Sequence, residues 1–290
     1  MTPMAGAWTV RAVLEWTAGH LAETGSESGR LDAELLLCHA LGVERLQLYL
    51  DPDRPLDESE RAAYRELVRA RARGAPVAHL VGEREFWSLP LRVTADTLIP
   101  RPDTEVLVEQ ALGHLPEGQP GRALDLGTGT GCIAAALARE RPELQVDAVE
   151  ASPEAAAVAT DNMARLDLED RVAVHTGSWF EPLGDAVYDL IVSNPPYIPE
   201  ADPHLEAGDV AAEPREALAA GPEGLNAYRT LVPAAIEHLG PGGWLMLEIG
   251  WDQGDTVSAL FEENGFTEVA VHRDYGGRDR VVVGRRPATG

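Results

Sequence analysis

Apolar residues recur along this chain with two different periods, and the change falls near residue 120. From Trp8 to about residue 73 they sit three and four apart. Val10, Val13, Leu14, Trp16 and Leu21 form one set, and Leu31, Leu35, Leu36, Ala40 and Leu41 a second. Both runs stop on a glycine, as helices do where the chain turns into the left-handed region. The stretch "LDESERAAYRELVRARARG" adds a third helix. Asp57 and Ser59 are its capping candidates, and its closing arginines suit the negative end of the helix dipole. These runs predict a small helical bundle over 1–75. "GEREFWSLPLRV" reads as a hairpin that turns at Pro90, within a linker over 76–95. Pro100 and Pro102 then break the chain, and Asp103 or Thr104 caps a helix carrying Val106, Leu107, Ala111 and Leu112 on its apolar face.

From residue 122 short apolar runs alternate with helical ones. Strands are expected at 122–126, 145–150, 171–175, 188–193, 244–249, 268–272 and 280–284, and helices at 131–140, 153–165, 226–238 and 253–263. Such alternation predicts a doubly wound α/β domain over 96–290, with a seven-stranded, mainly parallel, Rossmann-like sheet covered on both faces.

Composition narrows the function. The chain has 290 residues with 48 acidic against 24 basic ones, a net charge of −24, and every basic residue is arginine. Without lysine there is no P-loop lysine, Schiff base or lysine general base. The acidity opposes stable nucleic-acid binding, which needs a basic footprint. Two isolated cysteines, Cys38 and Cys132, fit buried apolar filler in a reducing compartment and no metal site. There is no apolar run of about 18 residues and no secretory signal pattern, so a cytoplasmic protein free of membranes is expected.

Candidate chemistry begins at "ALDLGTGTGCIAAALA", a strand, a glycine-rich turn and the start of a helix. Gly127, Gly129 and Gly131 permit close backbone approach to a ligand, with Thr128 and Thr130 between them. Glycine turns serve several nucleotide-binding folds. This spacing is not that of the dinucleotide fingerprint, however, and Glu150 closes the next strand, where a carboxylate can hold both hydroxyls of a ribose. The pattern suits S-adenosylmethionine better than a nicotinamide dinucleotide. In "HTGSWFEPL", Ser178 can offer its hydroxyl or backbone to the adenine and Trp179 a flat face.

The fourth strand of this region runs into "IVSNPPYIPE". In a doubly wound sheet it lies beside the first, so Asn194 reaches the same crevice. Pro195 and Pro196 have fixed φ and no N–H, so they cannot continue a ladder. Asn194 Oδ1 and the Pro195 carbonyl then form two rigid acceptors suited to an NH2 group, and Tyr197 supplies a face for a planar group. The lone pair of such a nitrogen is delocalised, as the amide rotation barrier of about 18–20 kcal/mol attests. Two acceptors can draw the NH2 toward tetrahedral geometry and aim its lone pair at a methyl donor, so positioning and electrostatics carry the reaction.

Together "FWSLPLRVTADTLIPRPDTEVLVEQAL", "LDLGTGTGCIA", "GSWFEPL", "IVSNPPYIPEADPHLEAGDVAAEPREALAAGPEGL" and "RDYGGRDRVVVGR" resemble the bacterial release factor glutamine methyltransferases. The resemblance spans residues 8 to 286 and implies a methyltransferase sheet behind an N-terminal helical domain. It implies a glutamine substrate in the Gly-Gly-Gln loop of class 1 peptide chain release factors. Gly127 to Gly131, Glu150, Trp179 and Asn194 would contact S-adenosylmethionine, and Asn194, Pro195, Pro196 and Tyr197 would hold the glutamine. The "IPRPDTE" loop would lie over the cofactor, and the bundle would help grip the release factor. A monomer is expected. The family often has aspartate where this chain has Glu150 and Ser178, which weakens the adenine contact assigned to Ser178. An amino methyltransferase acting on adenine or guanine would use the same Asn-Pro-Pro-Tyr, with a flipped base on the tyrosine. A non-enzymatic S-adenosylmethionine-binding adaptor would have no need of that motif.

Overall fold

Helical spacing in the first part of the chain folds as helices α1 (Val10–Glu23), α2 (Gly29–Leu41), α3 (Arg45–Leu50), α4 (Glu58–Ala72) and α5 (Val77–Val81) in a computed structural model that describes residues 8–288. Thr9 caps α1 by accepting the Ala12 N–H, and Asp57 and Glu60 cap α4 reciprocally. The core joins Val10, Val13, Leu14 and Leu21 to Leu36, Leu37, Tyr64 and Val68. Trp16 and Leu31, read as apolar-face positions, are exposed at 56% and 40%. The buried face of α2 holds two carboxylates instead, Asp32 and Glu34. Glu34 accepts from Arg30, Arg45 and Tyr49. Burial raises its pKa, but those donors outweigh burial and hold the carboxyl below its ordinary range.

The chain divides into two units between Gly82 and Glu83. The second opens with a hairpin of β1 (Glu83–Phe86) and β2 (Leu89–Arg92). Phe86, Leu89 and Leu91 are buried in the same core as Leu107 and Ile133. The strands assigned to a linker over 76–95 are therefore integral to this unit, because their alternate residues are apolar and find a core.

There follow α6 (Glu105–His114), β3 (Gly121–Leu126), α7 (Cys132–Glu140), β4 (Leu144–Glu150), α8 (Pro153–Arg165), β5 (Val172–Thr176), β6 (Tyr188–Ser193), α9 (Asn226–His238), β7 (Leu239–Glu248), α10 (Gly254–Glu263), β8 (Thr267–Arg273) and β9 (Asp279–Arg285). The seven-stranded sheet has the order β5-β4-β3-β6-β7-β9-β8, and β9 alone runs against its neighbours. Strand residues alternate between two apolar faces. Ala123, Leu190, Val192 and Met246 pack with Leu107 and Ile133 on one side. Leu124, Ile191, Leu245 and Leu247 meet Tyr228, Leu231, Val257 and Phe261 on the other. Both faces are buried, which is why these strands read as continuous apolar runs. The order reverses at β3, between β4 and β6, and a crevice opens at the carboxyl ends there. Among the described residues no helix is long and apolar enough to cross a membrane.

Candidate active site

Three strand ends converge on one cavity of about 610 Å³, a size suited to a small molecule. β3 delivers the glycine turn, β4 delivers Glu150 and β6 delivers Asn194. Gly127, Gly129, Glu150, Ser178, Trp179, Asn194 and Pro196 line it, and Ala95 to Leu98 and Pro214, Glu216 and Ala217 line it too. Gly131 has φ +80°, a left-handed conformation that favours glycine, and a Cβ there would lie 2.7 Å from Met163 Cε and displace it.

Glu150 is anchored before any ligand arrives. Its Oε2 accepts the Gly129 N–H at 2.9 Å and its Oε1 the Ser152 N–H at 3.0 Å. Each oxygen keeps a further lone pair for a ribose hydroxyl. Trp179 holds φ +48°, a left-handed conformation uncommon for a bulky residue, with its ring against the glycine turn. Thr128 and Thr130 face away from the cavity and are buried. The Thr128 hydroxyl donates to Asp125 Oδ2 at 2.5 Å, and the Thr130 carbonyl accepts from Asn162. The Thr128 side chain braces the turn rather than lining the site, because buried Asp125 beneath it takes its proton, and the Thr130 backbone is tied to Asn162.

Asn194 is oriented by a neighbour. Its Nδ2 donates to Thr104 Oγ1 at 3.2 Å, leaving Oδ1 as the acceptor on the cavity side. Pro195 is buried behind it. Tyr197 is not part of the cavity lining; its hydroxyl donates to Glu248 Oε1 at 3.4 Å and its carbonyl accepts from Gln253. Burial, and next the charge of Glu248, push the Tyr197 hydroxyl pKa up, so it stays protonated. The wall of the cavity is Ala95 to Leu98, just ahead of the "IPRPDTE" segment expected there. Within that segment Ile99 N–H and Arg101 are both held by the buried Glu213, and Thr104 stands behind Asn194.

Two carboxyls of the site escaped the motif reading. Asp125, on β3, is fully buried; burial pushes its pKa up to about 7, and its Oδ1 has no partner. Glu248, at the end of β7, is likewise buried and pushed up to about 7 by that burial, against the pull of Thr104, Arg280 and Tyr197. Each interrupts an otherwise apolar strand, "RALDL" and "WLMLEI", and that interruption was the available signal.

Residues 12–82 match the model of the PrmC N-terminal domain, and 103–222 that of the methyltransferase small domain. A release factor glutamine methyltransferase of Geobacter sulfurreducens is 50% identical over 98% of this chain and 99% of its own. The chain belongs to the release factor glutamine methyltransferase family. Another member, from Vibrio cholerae, is 46% identical over 96% of each chain. The fold is shared more widely. A Pyrococcus furiosus methyltransferase superposes with a TM-score of 0.53 at 19% identity, over 69% of this chain and 89% of that one. The hMettl16 catalytic domain, in complex with MAT2A 3′UTR hairpin 6, reaches 0.55 at 18% identity, over 77% and 82%. This protein is a methyltransferase with the family's helical N-terminal domain and Rossmann-like sheet.

Proposed function

We propose that this protein transfers a methyl group from S-adenosylmethionine to the side-chain amide nitrogen of the glutamine in the Gly-Gly-Gln loop of class 1 peptide chain release factors. The orientation of Asn194 carries the reading: its Nδ2 is committed to Thr104, so its Oδ1 faces the cavity beside the glycine turn. The chemistry of the lining fits the cofactor. Glu150 offers free lone pairs for a ribose, Trp179 a ring, and Asp96, Glu150, Glu154 and Glu216 an acidic surround for a cationic ligand. When bound, S-adenosylmethionine supplies a methyl group already activated by its positive sulfur.

The chain's own residues supply geometry. Asn194 Oδ1 and the Pro195 carbonyl accept the two protons of the glutamine NH2 and draw its lone pair out of conjugation. Tyr197 follows the two prolines outside the cavity lining, and its hydroxyl, donated to Glu248, keeps its ring in place beside the turn that presents the acceptors. No strong base is required, since the nitrogen becomes acidic once it carries the methyl group. The N-terminal bundle takes part in gripping the release factor, and the protein works as a cytoplasmic monomer. The net charge of −24 supports a protein substrate over a nucleic acid.

The test is incubation with methyl-labelled S-adenosylmethionine and unmodified release factor, with the label located by mass spectrometry. Label on the Gly-Gly-Gln glutamine is the expected outcome. Its absence there, or label on RNA or DNA instead, would overturn the reading.

A further inference from the structure

Two walls of the cavity lie far apart in sequence, the glycine turn and the segment from Ala95 to Leu98. One side chain on α8 reaches toward both. Asn162 is fully buried, and its hydrogen bonds all go to backbone. Its Oδ1 accepts the Arg92 N–H at 2.8 Å. Its Nδ2 donates to the Arg92 carbonyl at 3.0 Å and to the Thr130 carbonyl at 2.9 Å. Arg92 closes β2, just ahead of the wall that begins at Ala95, and Thr130 sits between Gly129 and Gly131 in the turn.

This pattern demands an asparagine. One planar group must present one acceptor and two donors. Turned over, it would set its NH2 against the Arg92 N–H and its oxygen against two carbonyls, so the neighbours fix its orientation. An aspartate of the same shape would bring an oxygen against those carbonyls, and a leucine of similar volume would bind none of the three groups.

Other contacts keep the open end of the hairpin against α8. Asp161 pairs with the Arg92 side chain at 3.1 Å, and Arg165 pairs with Glu83, the first residue of β1, at 3.1 Å. Both pairs are exposed to solvent and hold weakly, whereas the buried amide bonds in a low dielectric. At its far end the same wall is held by Glu213, which accepts the Ile99 N–H at 2.8 Å. The wall is thus suspended between Asn162 and Glu213, and of the two Asn162 also holds the glycine turn.

We propose that Asn162 is a positioning residue that fixes the spacing between the glycine turn and the 95–98 wall, and thereby sets the affinity of the cavity for its cofactor. Gly129, next to Thr130, gives its N–H to Glu150, so movement of the Thr130 peptide is passed to the carboxylate assigned to the ribose. The coupling is reciprocal. A ligand that steadies the turn also steadies the Asn162 amide, and with it Arg92, which lies outside the cavity lining. The inference rests on the reading of this cavity as the S-adenosylmethionine site.

The test measures the dissociation constant for S-adenosylmethionine by calorimetry, the melting temperature, and exchange of the Arg92 amide with and without cofactor. Asn162→Leu and Asn162→Asp keep the volume and remove the donors. Each should weaken cofactor binding roughly 10–100-fold, the effect of leaving buried backbone groups unpaired. Leu231→Ala, a core truncation on the other face of the sheet, is the control for lost stability and should stay within about threefold of wild type. In the wild type, cofactor should slow exchange at Arg92; in Asn162→Leu it should not. Unchanged affinity in both Asn162 variants would overturn the proposal. So would a loss no greater than that of the control at equal melting temperature, or wild-type exchange at Arg92 that ignores the cofactor. Should neither Asn162 variant fold, the wild-type exchange decides. A wild type that binds no S-adenosylmethionine sinks the reading of the cavity and this inference with it, whereas a wild type that binds beside variants that bind equally sinks the inference alone.

Discussion

Replacing Asn194 with alanine removes one of the two acceptors assigned to the glutamine NH2 and little else. The structure lets the side effects be separated. Asn194 is partly exposed at the cavity, and among the described residues its side chain's hydrogen bond is the 3.2 Å contact from Nδ2 to Thr104. Losing that bond costs about 0.5–1.5 kcal/mol of stability. In a chain of this size it lowers Tm by only about 2–4 °C per kcal/mol. The catalytic cost is larger. Removing a preorganised group from a site that binds developing charge lowers kcat by about 10²–10³, or roughly 3–4 kcal/mol. Binding of S-adenosylmethionine should weaken less than about tenfold, since the glycine turn, Glu150 and Trp179 line the same cavity unchanged. The assay is methyl transfer to release factor at saturating cofactor, with titration calorimetry for cofactor affinity. A fall in kcat below tenfold would refute the acceptor role. So would a loss of cofactor affinity that matched the loss of kcat, because the residue would then hold ground state and transition state alike.

Gly131→Ala places a Cβ 2.7 Å from Met163 Cε at φ +80°, so thermal melting should show a loss of about 1–3 kcal/mol and weaker cofactor binding. Asp125 has its pKa raised from 3.8 to about 7 by burial, so the folded state holds the proton more tightly than the unfolded one. Its contribution is full below about pH 4 and is lost as pH rises through 7; Asp125→Asn should remove up to about 4 kcal/mol of that decline, read from urea midpoints between pH 4 and 8. Glu213→Ala leaves the Ile99 N–H without its 2.8 Å acceptor and frees Arg101, so cofactor affinity should fall roughly 5–100-fold while kcat at saturation holds, measured by calorimetry and turnover. Glu34→Ala removes the shared acceptor of Arg30, Arg45 and Tyr49 and should raise amide exchange in the first helical unit by about 1–3 kcal/mol equivalent, with the sheet unaffected.

The architecture was legible because its driving force is written in a local period. Leu124 and Ala123, or Ile191 and Leu190, lie on opposite faces of a doubly covered sheet, so the strands show as apolar runs between helices. The turn from Gly127 to Gly131, Glu150 and Asn194 was legible for a similar reason: each sits at a strand end, and the sheet brings strand ends together. Side-chain direction was not. Thr128 lies between two cavity-lining glycines in sequence, yet buried Asp125 draws its hydroxyl inward, and Thr130 is buried as well. The α2 face misled for a related reason, since Glu34 takes an interior place over an exposed leucine where Arg30, one turn back, is joined by Arg45 and Tyr49 from α3.

Asp125 and Glu248 show what a single sequence does offer at such points. A carboxyl inside an apolar strand has a desolvation cost of several kcal/mol unless it is paired or protonated, so folding alone disfavours it. Neither is fully paired here: Asp125 Oδ1 and Glu248 Oε2 both lack partners, and both groups have their pKa pushed up to about 7. Asp125 Oδ2 takes nearby donors, Thr128 and the Ala134 N–H, but the groups around Glu248 come from positions distant in the chain. Thr104 precedes the sheet, Tyr197 follows β6 and Arg280 lies on β9, so no spacing rule within one motif could have joined them to Glu248. The strand interruption marks where to look, and the fold supplies the neighbours that give the interruption a use. In this chain the interrupted strands β3 and β7 flank β6, the strand that carries Asn194 to the cavity. The two buried carboxyls therefore stand on the two strands beside the one that carries Asn194.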